Sequence, residues 1–384
     1  MPVTSEDSWV LTHAKLVLPH EVIEGSLRVE RGVISAIDPG PAAVPEAIDG
    51  QQDIVIPGLI ELHTDNLERH AVPRPQVRWP MLAAVLAHDA ELAAAGITTV
   101  FDSLQVGSAS TASLRQQIFE DCVDTIEQVR SDSLTKAEHF LHFRCEISTP
   151  NMLERFHKYA DIDGLRLISL MDHTPGQRQW VDLDKYRRRV KKLDGLTDQE
   201  LDEHIQQRYV QQQQYAAHNE RELIAWLHHR NLPLATHDDA TVEHAQEAFA
   251  KGARIAEFPT TVEAATTANA LGMQILMGAP NLMLGGSHSG NVATAALAAQ
   301  GLVDILSSDY VPTSLLAGAI KLYSDIGYSL PDAMATVTAA PAWAAGFEDR
   351  GEIAVGKRAD LVRLRLQNGI PLVQSVWRAG RRVA

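Results

Sequence analysis

Six apolar stretches of this chain end in side chains that can hold a metal ion or move a proton. DIVIPGLIELHTD (53–65) carries His63 and Asp65, HFLHFRCEIS (139–148) carries Glu146, and LRLISLMDH (165–173) carries Asp172 and His173. LPLATHDD (232–239) carries His237, RIAEFPT (254–260) carries Glu257, and DILSSDY (304–310) carries Asp309. Carboxylates and imidazoles are costly at the ends of buried apolar runs unless a charge sits among them. One or two divalent metal ions (zinc, manganese or iron) would balance that cost. His63 and Asp65 are two residues apart, so in an extended strand they share a face and close on one ion. Asp172 and His173 are adjacent and only one can face inward; His173 is favoured. His237 shares a face with Asp239, which leaves Asp238 pointing away. Asp309 alone reads equally as a helix cap, but beside a metal it accepts a proton from an acidified water and orients the hydroxide. Any one of these histidines is more often a satisfied structural residue; their recurrence at strand ends is what points to hydrolytic metal chemistry.

Those residues need elements that bring them together. The eight candidate strands of 53–310, the remaining two being GITTVFDSL (96–104) and QILMGAP (274–280), alternate with helical stretches. Parallel pairing is expected, because parallel strands need long crossovers. Eight such units match an α/β fold of the (β/α)8 TIM-barrel type, whose C-terminal mouth receives the strand-end side chains. An open doubly wound sheet would carry a GxGxxG after its first strand, and none is present. The first fifty residues and the last thirty-five read instead as short antiparallel strands. Neither end buries a face alone, so the two are expected to combine in one small β-sandwich domain (1–52 with 350–384) beside a barrel of 53–349. The stretch 178–230 is helical and heavily charged, opens a capping box at Thr197 with Glu200, and reads first as a solvated hairpin, second as a lid or subunit contact.

The whole-chain totals narrow the partners. Thirty-four basic residues against 49 acidic ones give a net charge of −15, which argues against nucleic acid or an anionic membrane bound over a broad surface. No stretch approaches the roughly 20 apolar residues of a membrane span, the N-terminus carries no secretory pattern, and two cysteines cannot build a disulfide framework. A cytoplasmic enzyme is expected, with a homo-oligomer left open.

VIPGLIELH before the first metal strand, SSD at the eighth and GEIAVGKRADLV near the C-terminus resemble the amidohydrolase superfamily across nearly the whole chain. HTDNLERHAVPRPQVRWP, DHTPGQRQ, ATHDDAT, EFPTT, GAPNLMLGGSHSGN and LSSDYVP narrow the likeness to the diphosphatase branch of phosphonate metabolism, in the C–P lyase pathway. That resemblance implies a metal-dependent hydrolase that cuts a phosphoric anhydride in a ribose 5-triphosphate and releases pyrophosphate. It implies His63, Asp65, Glu146, His173, His237, Glu257 and Asp309 as the metal set, with Asp309 as the catalytic base. Three positions depart from the superfamily's usual pattern: Asp65 and Glu257 stand where histidines are common, and the fourth strand has no bridging lysine, a role Glu146 can fill. Oxygen-rich ligation widens the metal choice. The implied substrate is a small anionic phosphorylated sugar. Candidate cations for it are Arg69, Arg74 and Arg78 with His70 in the loop after the first strand, Arg144 on the face of Glu146, and Arg178, since guanidinium binds phosphate in a fork. Ser287, His288 and Ser289 in GGSHSGN open a helical stretch and read as an anion cradle or as a plain turn capped by Ser289. A cyclic-amide hydrolase or deaminase of the same superfamily, and a non-catalytic barrel serving as an assembly subunit, are the alternatives.

Overall fold

The computed structural model describes residues 8–108, 114–287 and 290–384. Eight strands run in chain order around one sheet: Leu59–Thr64, Ile97–Val106, Glu138–Glu146, Leu165–Met171, Leu234–His237, Ile255–Glu257, Gln274–Gly278 and Ile305–Ser307. Every neighbouring pair is parallel. The eighth strand returns to the first through a parallel bridge between Thr64 and Asp309, where Thr64 Oγ1 donates to the Asp309 carbonyl at 2.6 Å. The sheet closes, as expected for a (β/α)8 barrel.

Each strand sends an apolar side chain into the interior: Ile60, Phe101, Phe140, Leu167, Ala235, Ile255, Leu276 and Ile305 form one buried cluster. Period-2 alternation then sets which side chains reach the mouth. Beyond Phe140 the same face carries His142, Arg144 and Glu146, while Leu141, Phe143 and Cys145 turn outward to the helices. Threonine N-caps start two of the return helices just after the site loops. Thr241 accepts from the His244 amide and Thr261 from the Ala264 amide, each satisfying a donor the helix start leaves open.

Both chain ends join one mixed sheet built from Ser8–Val17, Val22–Glu30, Val33–Pro39, Ile48–Asp49, Ile54–Pro57, Leu361–Gln367, Ile370–Arg378 and Arg381–Arg382. It wraps its own core of Leu11, Leu27, Ile34, Val55, Leu361 and Trp377, the separate terminal domain of the expected architecture. One boundary moves. The single strand expected over 53–65 is two, Ile54–Pro57 in the terminal sheet and Leu59–Thr64 in the barrel. Gly58 makes the joint, since a Cβ there would sit 2.2 Å from Thr98 Oγ1.

The charged stretch is two helices, Leu183–Asp194 and Asp198–His228, and the Thr197–Glu200 capping box forms. The longer helix is not a solvated hairpin arm. It buries Leu201, Ile205, Arg208, Asn219, Leu223 and Leu227, and Asn219 Nδ2 donates to the carbonyls of Ile147 and Thr149, both at 2.9 Å. Cys122 and Cys145 are buried free thiols, and burial pushes both upward in pKa. Among the described residues no helix is long and apolar enough to cross a membrane.

Candidate metal centre at the barrel mouth

Glu257, wholly buried at the end of the sixth strand, is the centre of the site. His63 Nδ1 lies 3.1 Å from one of its carboxylate oxygens and His237 Nδ1 lies 3.1 Å from the other. His142, in the third strand, brings Nε2 to 3.8 Å. The His63 and His237 rings stack at 5.5 Å, and the Phe258 ring stands edge-on to both. The ligand atoms of His63, His142 and Glu257 all lie within 4.8 Å of one another, and so do those of His173, His237 and Asp238. His237 thus stands between two adjacent donor groups.

The chemistry of these donors fits a divalent cation. Burial holds the His63 and His142 rings well below the ordinary imidazole range, at about 4 and about 3, against the pull of Glu257. Both are neutral near pH 7, the form that ligates. Burial opposes ionisation of Glu257 too, but His63, His142 and His237 outweigh it and keep the carboxyl well below its usual range. Asp238 Oδ2 is buried with no hydrogen-bond partner, 3.4 Å from His237 Nε2 and 3.6 Å from His173 Nε2. An orphaned carboxylate oxygen between two imidazoles is where a cation compensates.

Each expected site residue has a definite position. His173 faces inward and Asp172 outward, the latter accepting from Gln212 Nε2 at 3.0 Å. The pair in THDD is reversed: Asp238 enters the site, and Asp239 pairs with Arg178 behind the fifth strand. The cause is backbone conformation. Asp238, Phe258 and Asp309 have φ of 59°, 52° and 53°, left-handed geometry that is uncommon for such residues and clusters at functional sites. One left-handed residue breaks the alternation on which the sequence expectation rests.

Asp65 does not turn to the histidines; it accepts from Arg115 Nη2 at 2.8 Å. Glu146 has both oxygens engaged. One accepts from Ser148 Oγ at 2.7 Å and from the His173 amide at 2.9 Å, and the other meets His173 Nδ1 at 2.6 Å. Arg208, from the long inserted helix, reaches Ser148 Oγ at 3.1 Å and Glu146 at 3.5 Å. Burial opposes the charge on Glu146, but His173 and then Arg208 hold it down to about 2. Burial likewise opposes a charge on His173, and Glu146 with Asp238 raise it to about 9. Glu146 therefore pairs with His173 and fixes the orientation of its ring.

Asp309 lines the cavity. Burial and then the neighbouring Asp65 raise its carboxyl to about 7, against the pull of Arg144. Glu61, also raised by burial to about 7, accepts from the amides of His63 (2.7 Å) and Ser308 and so ties the ends of the first and eighth strands together. The cavity of about 370 Å³ is also lined by Arg144 and Ser287. Arg69 and His70 pair with Glu91 outside it, Arg74 and Arg78 are exposed, and Arg178 is held by Asp239 and Thr236. His288 and Ser289 lie outside the described residues. The helix after them begins only at Thr294, with Ala293 as its N-cap.

His142 is absent from the sequence expectations, which point Asp238 away from the site. His142 had a signal, since it shares the period-2 face of Arg144 and Glu146; Asp238 had none.

A closed eight-stranded barrel whose mouth gathers four histidines and buried carboxylates has the donor set to hold a divalent metal. The Amidohydrolase family pattern matches residues 196–384. The chain is 43% identical over 376 residues to an alpha-D-ribose 1-methylphosphonate 5-triphosphate diphosphatase of Escherichia coli K12, covering 97% of this chain and all of that one. This chain belongs to the amidohydrolase family. A dihydroorotase of Methanopyrus kandleri is 36% identical over 85 residues, 18% of this chain and 20% of that one. Among solved structures, N-isopropylammelide isopropylaminohydrolase from Burkholderia multivorans superimposes with a TM-score of 0.65 at 17% identity, covering 98% of this chain and 97% of the other. N-acetylglucosamine-6-phosphate deacetylase from Pasteurella multocida gives 0.62 at 14%, covering 98% and 99%. At such identity these two speak for the fold.

Proposed function

We propose that the chain hydrolyses α-D-ribose 1-methylphosphonate 5-triphosphate to the 5-phosphate and pyrophosphate in phosphonate catabolism. The observation that carries this is the 43% identity running over 97% of the chain to a diphosphatase of that substrate. His63, His142, His173, His237, Asp238 and Glu257 are the residues that would hold one or two divalent ions. A bound divalent cation lowers the pKa of water and neutralises phosphoryl charge. Asp309 takes the proton of the attacking water and orients its oxygen toward the phosphorus nearest the ribose. A new P–O bond forms there as the bond to the β-phosphate bridge breaks, and pyrophosphate leaves with that bond's electron pair. Glu146 keeps the His173 ring in one orientation, and Arg208 keeps Glu146 ionised and in place.

The test is a panel of ribose and nucleoside triphosphates given to the purified protein with manganese, iron or zinc. Pyrophosphate release, fastest for the ribose 1-methylphosphonate compound, is the expected result. Release of ammonia or opening of a cyclic amide, with triphosphates untouched, would replace this function by another of the family.

A further inference from the structure

Besides Arg208, which is bound to Ser148 and Glu146, six arginines stand near the barrel mouth, and the structure separates one from the rest. Arg69 is spent on Glu91, Arg115 on Asp65 and Glu68, and Arg178 on Asp239. Arg74 and Arg78 are exposed on the outer rim. Arg144 is 7% exposed, points into the cavity from the third strand, and keeps a buried Nε with no hydrogen-bond partner. No acceptor among the described residues takes a hydrogen bond from its guanidinium. Asp309 and Asp238 feel its charge, which helps to explain how a buried cation is tolerated, but neither closes a hydrogen-bonded pair with it.

A buried guanidinium with open donors is costly unless something arrives to accept them. The cavity is also uneven. The cations that line it apart from the histidines, Arg115 and Arg144, both come from the side of the second and third strands. The opposite side, formed by Trp180 of the inserted segment with Asn281 and Asn291, offers an aromatic ring and amides, and the nearby Lys185, which is not among the lining residues, is bound to Asn291 Oδ1 at 2.9 Å. We infer that Arg144 is the anchor of a diphosphate subsite: it holds the phosphoryl end of an organic polyphosphate, and the organic end lies against the Trp180–Asn281 wall. The inference rests on the triphosphate function proposed above and adds which wall takes which end. Arg144 forks onto two phosphoryl oxygens, and Arg115, already neutralised by its two acids, contributes less.

Inorganic pyrophosphate is the probe, titrated calorimetrically into the metal-loaded protein. Arg144→Met is expected to weaken its binding by roughly 10- to 100-fold, the range of hydrogen bonds to a charged group. Arg144→Lys, which keeps the charge and loses the fork, should fall between. An Arg144→Met protein that melts like the wild type and binds pyrophosphate within about threefold of it overturns the subsite. Where Arg144→Met does not fold, wild-type affinity in Arg144→Lys overturns it. The two ideas fail separately. A wild type that binds pyrophosphate through Arg144 and cleaves no triphosphate refutes the function and leaves the subsite standing. Triphosphate cleavage with pyrophosphate binding indifferent to Arg144 does the reverse.

Discussion

Asp309→Asn is expected to lower turnover by roughly 10²–10⁴-fold, the contribution of a positioned general base, while the protein keeps its metal. Asparagine is nearly isosteric and cannot accept the proton. The backbone of Asp309 does separate work: its carbonyl takes Thr64 Oγ1 at 2.6 Å and the Asp65 amide at 3.2 Å, closing the barrel. These bonds do not involve the side chain, so the variant should fold normally. Burial and Asp65 raise the carboxyl to about 7, which makes it a stronger base than an exposed aspartate. Steady-state rates beside metal content by elemental analysis check this. Near-normal turnover in a metal-replete variant would remove Asp309 from the reaction.

Glu257→Gln is expected to empty the metal centre and, with it, to abolish turnover. Among the described residues its carboxylate is the anion that His63, His142 and His237 all reach, and glutamine preserves the volume without the charge. A divalent cation among neutral imidazoles loses its strongest partner. Metal per chain after dialysis is the readout: wild type should retain its ion and the variant should fall to background. A variant that keeps a full complement of metal would mean that the ion sits elsewhere, with Asp238 and His173 the next candidates.

Much of this architecture was legible in the sequence because it is a one-dimensional signal. Apolar runs separated by helix-length spacers marked eight strands, and polar residues at their C-terminal ends pointed to His63, His173, His237, Glu257 and Asp309, which all line the mouth or its floor. The parts that escaped depend on three-dimensional detail. The exchange of Asp238 for Asp239 comes from a positive φ that no local pattern announces. Glu146 has the spacing of a ligand, yet Ser148, the His173 amide and Arg208 claim its oxygens, and Arg208 lies 62 positions further along in a helix whose composition reads as solvated. Arginine density in the loop after the first strand drew attention to Arg69, Arg74 and Arg78, which face outward. Arg144 stands alone in its strand and is, among the described residues of the mouth, the buried arginine left without an acceptor. Gly58 hid a change of sheet inside what reads as one continuous apolar run, since a glycine joint leaves hydropathy unchanged.

The proposed attack of water on the phosphorus nearest the ribose, at the candidate metal centre, is tested most directly by turnover of the ribose triphosphate in water enriched in oxygen-18, with mass spectrometry of both products. One labelled oxygen is predicted in the ribose 5-phosphate and none in the pyrophosphate. Label in the pyrophosphate would put the attack on the β-phosphorus and contradict the mechanism.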